Sequence, residues 1–340
     1  MIQLLYLGNR LSKHGFNATT IDTLGPQLEQ EGYVIHYASD QKSFVLRLLD
    51  MLRAVFVYRN QVSYILMDTY STKAFWYAFL SSQLARLFSI PYLPILHGGN
   101  LPERLQRHPF LCRLLFAPAY QNVAPSGYLK HAFETAGYSN VVLIPNTIEI
   151  TRYPFKARIS FAPKLLWVRA FAGIYNPKMA IDVLAQLKEK YPEATLTMVG
   201  PDKDGSLKTT QDYADSLGVS VCFTGQLTKE AWWELAASHD IFINTTHFDN
   251  TPVSVMEAMA LGLPVVSTKV GGIPFMVTDK ENALLVPDSD GAAMVQAVVQ
   301  LIENPNQATE MATNARRFVE QLDWEVVKEK WVELMGRSEE

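Results

Sequence analysis

Six short, almost wholly apolar runs alternate with helix-length segments along the first half of the sequence, and the alternation then starts again. The runs are IQLLYL, YVIHYA, SYILMD, YLPILH, QNVAPS and NVVLIP, followed by LLWVRA, TLTMVG, VSVCFTG, DIFINT, LPVVST and ALLVP. A strand that is apolar on both faces must be covered on both faces, which is the condition of a parallel sheet between two layers of helices. Segments such as TIDTLGPQLEQEG, KAFWYAFLSSQLARLF and NPKMAIDVLAQLKEKY supply those layers. The pattern predicts an α/β chain with two Rossmann-like, doubly wound parallel-sheet domains in tandem. At 340 residues there is room for two such domains of about 150 residues each.

The restart after Pro145-Asn146 places one domain over residues 1–150 and the second over 151–322. Residues 148–163 mix Pro, aromatic and basic residues with neither period, so the hinge is expected there. The amphipathic run DWEVVKEKWVELMG is left over once the second sheet is complete, and a helix over 323–338 is expected to pack back on the first domain. Doubly wound sheets bind ligands beyond the carboxyl ends of their strands. Two of them in tandem are therefore expected to face a ligand cleft.

Composition narrows the class. With 48% hydrophobic and 19% charged residues the chain is neither disordered nor fibrous. Cys112 and Cys222 form no disulfide or zinc pattern, which favours a reducing, cytoplasmic compartment. The start MIQLLYLGNRLSKHG has no basic stretch before its apolar run and reads as a first strand rather than a signal peptide. The net charge of −4 divides unevenly, +3 over residues 1–150 and −7 over the remainder. A basic half suits an anionic neighbour; chance explains a difference of this size equally well.

No G-x-x-x-x-G-K-[ST] loop and no G-x-G-x-x-G after a strand is present. Two D-x-D pairs, Asp202/Asp204 and Asp288/Asp290, have the spacing of a metal-nucleotide site, but they read as a turn and a helix N-cap. The stretch FDNTPVSVMEAMALGLPVVSTKVGGIPF, residues 248–275, carries more chemistry. Thr251 is expected as N-cap and Pro252 as first helical residue. The free N–H groups around Thr251, Pro252 and Val253 suit a phosphate. Asp249 and Glu257 suit vicinal hydroxyls, and Gly271-Gly272 allow a backbone to approach the same ligand. Helix start, two acids and glycine pair together suit a diphosphate flanked by two polyols, as in a nucleotide sugar.

That stretch resembles the signature of the retaining family 4 glycosyltransferases of GT-B fold (glycosyl transferases group 1): an acid, seven residues, Glu, A-M-A-x-G-x-P-V-V and a glycine pair. The resemblance implies that Glu257 binds the nucleotide ribose. It puts Asp249 where most members carry Glu against the donor sugar, and Phe275 where many carry a third acid. WVRAFAGIYNPKMAI resembles the segment that supplies Arg169 and, after a short insertion, Lys178 to the diphosphate. LHGGN places His97, Gly98 and Gly99 where members often contact the donor sugar. Gly8 and Gly15 flank the loop after the first strand, expected to approach donor and acceptor. The implied activity is transfer of a sugar from a UDP- or GDP-linked donor to an acceptor hydroxyl, with retention and without metal or other cofactor. Arg169, Lys178 and the helix N-terminus would stand in for the divalent ion. By the same resemblance the acceptor is a glycan or a lipid-linked glycan, and no nucleic acid is expected. Two other readings fit the same residues: a nucleotide-sugar epimerase of this fold, and a nucleotide-sugar-binding protein whose site has decayed.

A last expectation concerns membranes. KSFVLRLLDMLRAVFVYRN is helical in period and rich in large apolar residues, yet Arg47, Arg53 and Arg59 are spread around it. With Arg104, Arg107, His108 and Arg113 they suit peripheral contact with the anionic inner face of a cell membrane. A solvated rim around core helices is the alternative.

Overall fold

The computed structural model describes residues 1–14 and 19–336; Gly15 lies outside them. All twelve apolar runs form strands, and every pairing between them is parallel. Contacts divide the chain into one unit of Met1–Thr147 with Trp324–Glu340 and a second of Ile148–Asp323.

The first unit holds β1 (Gln3–Leu7), β2 (Val34–Ala38), β3 (Tyr64–Tyr70), β4 (Tyr92–His97), β5 (Asn122–Ala124) and β6 (Val141–Leu143), in the order β2-β1-β3-β4-β5-β6. Successive residues of β1 point to opposite faces, and both faces are apolar. Leu5 and Leu7 join Met51, Val55 and Phe75 in one core. Leu4 and Tyr6 join Ile21, Leu28 and Leu66 in the other. This period-two division of an unbroken apolar run is what a doubly covered strand requires. The second core is closed by the chain's last described helix, Trp324–Met335, through Trp324, Val327, Trp331 and Met335.

The second unit holds β7 (Lys164–Val168), β8 (Thr195–Val199), β9 (Cys222–Gly225), β10 (Ile241–Asn244), β11 (Val265–Thr268) and β12 (Leu284–Val286), in the order β12-β11-β10-β7-β8-β9. Strand order reverses between β7 and β10 here, and between β1 and β3 in the first unit. These are the switch points at which doubly wound sheets bind ligands.

Residues 148–163 do not form a free hinge segment. The chain passes between units at 147/148 and again at 323/324. Ile148 N–H bonds Leu322 O at 3.0 Å and Ile150 N–H bonds Asp323 Oδ2 at 3.0 Å, so the segment is tied into the second unit. It lacks a period because its side chains meet several different elements. Among the described residues no helix is long and apolar enough to cross a membrane.

Candidate functional site

The second unit's switch point assembles residues from three loops. Arg169 directly follows β7, and its N–H is held by Val199 O at 3.0 Å. Its guanidinium lies over the Tyr175 ring at 4.7 Å and pairs through Nη2 with Asp249 Oδ2. Burial pushes Arg169 down to about 10, partly countered by Tyr175, so it stays charged at neutral pH. Its Nε has no hydrogen-bond partner among the described residues.

Asp249 sits on the loop that leaves β10. Thr246 Oγ1 bonds Ile174 O and Phe248 O, and Thr268 Oγ1 bonds Thr246 O, which fixes that loop on both sides. The helix that follows is Val253–Ala260, buried on every side from Ser254 to Ala260. Such a helix must be apolar all round, as this one nearly is. It starts one residue later than expected. Pro252, with ψ of 108°, is the N-cap rather than the first helical residue, and Thr251 does not cap. Thr251 Oγ1 and Ser254 Oγ are buried with no hydrogen-bond partner among the described residues. The first helix-type bonds run from Val255 and Met256 N–H to Pro252 O, leaving Val253 and Ser254 ahead of them.

Glu257, one turn into this helix, is 4% exposed. Its Oε1 accepts from Tyr153 OH at 2.8 Å and pairs with Lys229 Nζ at 3.0 Å. Burial and the Glu257 charge push the Tyr153 hydroxyl well above its ordinary range, so it remains a donor.

The glycine pair has a steric role within the chain itself. A Cβ at Gly271, whose φ is +53°, would lie 2.2 Å from Asp249 O, and one at Gly272 would lie 1.8 Å from Asn250 O. Gly272 N–H bonds Asp249 O at 2.7 Å. Both glycines are required by the approach of the chain's own loop, which they hold against the start of the helix Ile273–Met276. Phe275 on that helix is exposed.

Lys178 lies on a different element from Arg169. It stands exposed near the start of the helix Pro177–Lys190, with Nζ 5.4 Å from the centre of the Tyr213 ring. The D-x-D pairs are caps and turns. Asp290 accepts from Ala293 N–H at 2.8 Å, Asp288 pairs with His247, and Asp202 and Asp204 accept from Gly205 and Gly173 N–H.

In the first unit, His97 ends β4 and is followed by Gly98, with φ of +81°, and Gly99. Its Nε2 lies 2.9 Å from Asp68 Oδ1, and its ring stacks on Tyr70. Gly8 follows β1, and a Cβ there would meet Asp68 Oδ2 at 2.5 Å. Its lack of a side chain therefore makes room for that carboxylate.

Residues 151–318, nearly all of the second unit, match the family model described as glycosyl transferases group 1. By this match the second unit belongs to the glycosyl transferases group 1 family. Two relatives similar to the chain are a D-inositol 3-phosphate glycosyltransferase of Corynebacterium urealyticum and a glycogen synthase of Mycobacterium tuberculosis. The first is 28% identical over 221 residues, covering 61% of this chain and 52% of the relative. The second is 26% identical over 194 residues, covering 56% and 47%. The chain thus spans about half the length of the curated relatives it matches. The fold extends further than the sequence match. HepE of Anabaena, solved in complex with UDP, superposes with a TM-score of 0.75 over 98% of both chains at 20% identity. A sucrose-phosphate synthase from Thermosynechococcus elongatus gives 0.74 over 98% of both at 16%. The GT-B class expected for the whole chain is the class of these structures.

Four partners of the candidate residues were not singled out by the sequence: in the second unit Tyr153 and Lys229 on Glu257 and Tyr175 on Arg169, and in the first unit Asp68 on His97. Tyr153 is 104 positions from Glu257 and lies in the aperiodic segment, so no spacing marks it. Lys229 opens a helix as an ordinary exposed residue.

Proposed function

We propose that this chain transfers a hexose from a nucleotide-diphosphate donor, UDP- or GDP-linked, to a hydroxyl of a glycan or lipid-linked glycan, with retention and without a metal. Cell-surface polysaccharide or glycolipid synthesis is the setting that suits such an acceptor. The observation that carries the reading is the grouping at the β7/β10 switch point. A buried, charged Arg169 is paired with Asp249 just ahead of a helix N-terminus, and a buried glutamate lies one turn further in. Cation and helix start suit a diphosphate. Glu257 has Oε1 held by Tyr153 and Lys229, which leaves Oε2 for ribose hydroxyls. HepE of Anabaena was also solved with UDP-glucose, which supports a donor of that class.

The test is a thermal-shift screen of nucleotide sugars followed by a radiolabel transfer assay. A donor at about 100 times its Kd stabilises by about 2.7 kcal/mol. Label should then pass to an acceptor. Epimerised donor without acceptor, or binding without turnover, would replace this reading with an epimerase or a decayed site. Glu257→Ala should cost about 1.5–3 kcal/mol of donor binding, the range for a hydrogen bond to a charged group. Calorimetry checks this, and unchanged affinity in a folded variant removes Glu257 from the ribose.

Peripheral membrane contact belongs to the same proposal, on a changed set of residues. The helix Phe44–Tyr58 lays Met51, Ala54 and Val55 on the sheet, while Val45, Leu46, Leu49 and Phe56 stand exposed. Arg47 and Arg104 leave the basic rim. Arg47 is buried and bonds Gln41 O, Lys42 O and Asn9 Oδ1; Arg104 bonds Ser71 O and lies over Phe75. Arg53 and Arg113 remain exposed, the latter on the same short helix as Phe110, which is 72% exposed. An apolar patch with basic residues suits anionic lipid, each cation adding about 1 kcal/mol near the surface. Co-sedimentation with vesicles should rise with anionic lipid and fall with salt. Equal recovery with anionic and neutral vesicles at low salt counts against membrane contact.

A further inference from the structure

A buried carboxylate with no role so far stands at the β1/β3 switch point of the first unit. Asp68, in β3, is 5% exposed. Its Oδ1 accepts from Tyr6 OH at 3.1 Å and lies 2.9 Å from His97 Nε2. Its Oδ2 has no hydrogen-bond partner among the described residues. Asp68 also lines a small cavity with Gly8, Asn9, Met51, Met67 and Tyr77. A carboxylate in such surroundings is costly to bury. Gly8 is part of the same arrangement, since any side chain at that position would displace Oδ2.

What the carboxylate does is legible on the imidazole. The His97 ring stacks on Tyr70 with centroids 4.8 Å apart and planes 25° apart, which limits its tilt. The bond to Asp68 fixes its rotation. An ionised carboxylate accepts and does not donate, so Nε2 carries the hydrogen. In the neutral ring the lone pair is then on Nδ1. Tyr6, donating to the same oxygen, keeps Asp68 turned toward the ring.

We propose that Asp68 is a positioning residue. It holds His97 in the Nε2–H tautomer, so that Nδ1 is the acceptor edge offered to a hydroxyl of the donor sugar. What His97 touches rests on the sugar-transfer reading above; the tautomer does not.

Two measurements test this separately. Long-range proton–nitrogen spectra report the tautomer of each of the seven histidines, with His97 assigned by its loss in His97→Ala. At about pH 8, where an ordinary imidazole is neutral, His97 should be the Nε2–H form, and Asp68→Asn should shift it toward Nδ1–H. A wild-type ring in the Nδ1–H form overturns the proposal, and this holds even where Asp68→Asn is too unstable to assay. In transfer kinetics Asp68→Asn should lower kcat about 10- to 100-fold, with donor KM changed by less than about 3-fold. In the His97→Ala background the same substitution should change kcat by less than about 2-fold, because the two act as one unit. Independent, multiplying losses would mean that Asp68 acts on substrate or fold directly, and would also overturn it. A wild-type chain that transfers no sugar defeats the functional reading alone, and the tautomer still decides the role of Asp68.

Discussion

Arg169→Ala should lower kcat by about 10²-fold or more while changing donor KM much less, because in the proposed transfer the charge it would meet grows as the diphosphate leaves. The geometry sets the size of that effect. The guanidinium is buried at the end of β7 and remains charged although burial lowers it to about 10. Asp249 forms an ion pair with Nη2, and neither Nε nor Nη2 has a hydrogen-bond partner among the described residues. A half-engaged buried cation is poised to gain from an incoming anion, in surroundings where charge interactions are stronger than in water. Removing Arg169 also strips Asp249 of its partner, and an unpaired carboxylate would itself repel a diphosphate. The double variant Arg169→Ala/Asp249→Asn separates the two effects. If the loss comes from missing positive charge it persists in the double variant, and if it comes from Asp249 repulsion it is largely repaired. Arg169→Lys should restore little, since a point charge lacks the planar fork. EDTA should leave wild-type turnover intact. Loss of turnover with EDTA and its return with Mn²⁺ would assign the charge neutralisation to a metal ion.

The sheets were open to reading because of how they are buried. Strands covered on both faces must be apolar at every position, so twelve such runs announce two parallel sheets. The order of the strands was not open in the same way. IQLLYL and DIFINT look alike, and nothing in either says that β1 lies beside β3 or β10 beside β7. The switch points, where the candidate sites lie, therefore emerge only from the folded topology.

The same division runs through the site. Asp249, Glu257 and Arg169 stand out because each sits at a fixed offset from a strand or helix end within one continuous motif. Their partners come from elsewhere in the chain. Tyr153 reaches Glu257 from a segment without periodicity, and Asp68 reaches His97 from the neighbouring strand. The glycine pair was legible as a close approach, but a sequence cannot tell a ligand from the chain's own carbonyls. Thr251 followed by Pro252 reads as cap and first turn, yet Pro252 keeps an extended ψ and the helix waits for Val253. Lys178 fits its motif by type, and its Nζ lies near the Tyr213 ring.

Arg158→Met should destabilise the second unit by about 3–5 kcal/mol, the cost of removing one side of a buried charged cluster. Arg158 is 5% exposed in the segment that enters this unit. Its donors reach five carbonyls: His239 from Nε; Lys156, Leu261 and Gly262 from Nη1; and Ala236 from Nη2. Ala236 ends the helix Lys229–Ala236, and Leu261 caps the helix Val253–Ala260. The cation thus adds a charged donor to carbonyls at two helix ends and faces the negative end of both dipoles. Burial lowers its pKa and the charge of Asp240, 3.7 Å away, partly offsets this. Methionine would fill much of the volume but remove the guanidinium donor from all five carbonyls, of which Ala236 O and Leu261 O also accept a backbone N–H, from His239 and Lys156, and lysine cannot reach them all. Urea unfolding followed by tryptophan fluorescence can resolve the effect by unit. Trp167, Trp232 and Trp233 lie in the second unit, and Trp76, Trp324 and Trp331 in the first, whose transition should not move. A shift of less than about 1 kcal/mol would reduce Arg158 to an ordinary hydrogen-bonding residue. The consequence reaches the site, because the helix that Arg158 pins at its last turn is the one that carries Glu257 and offers its first turn beside Asp249. Donor affinity should therefore fall in Arg158→Met even under conditions where the unit remains folded.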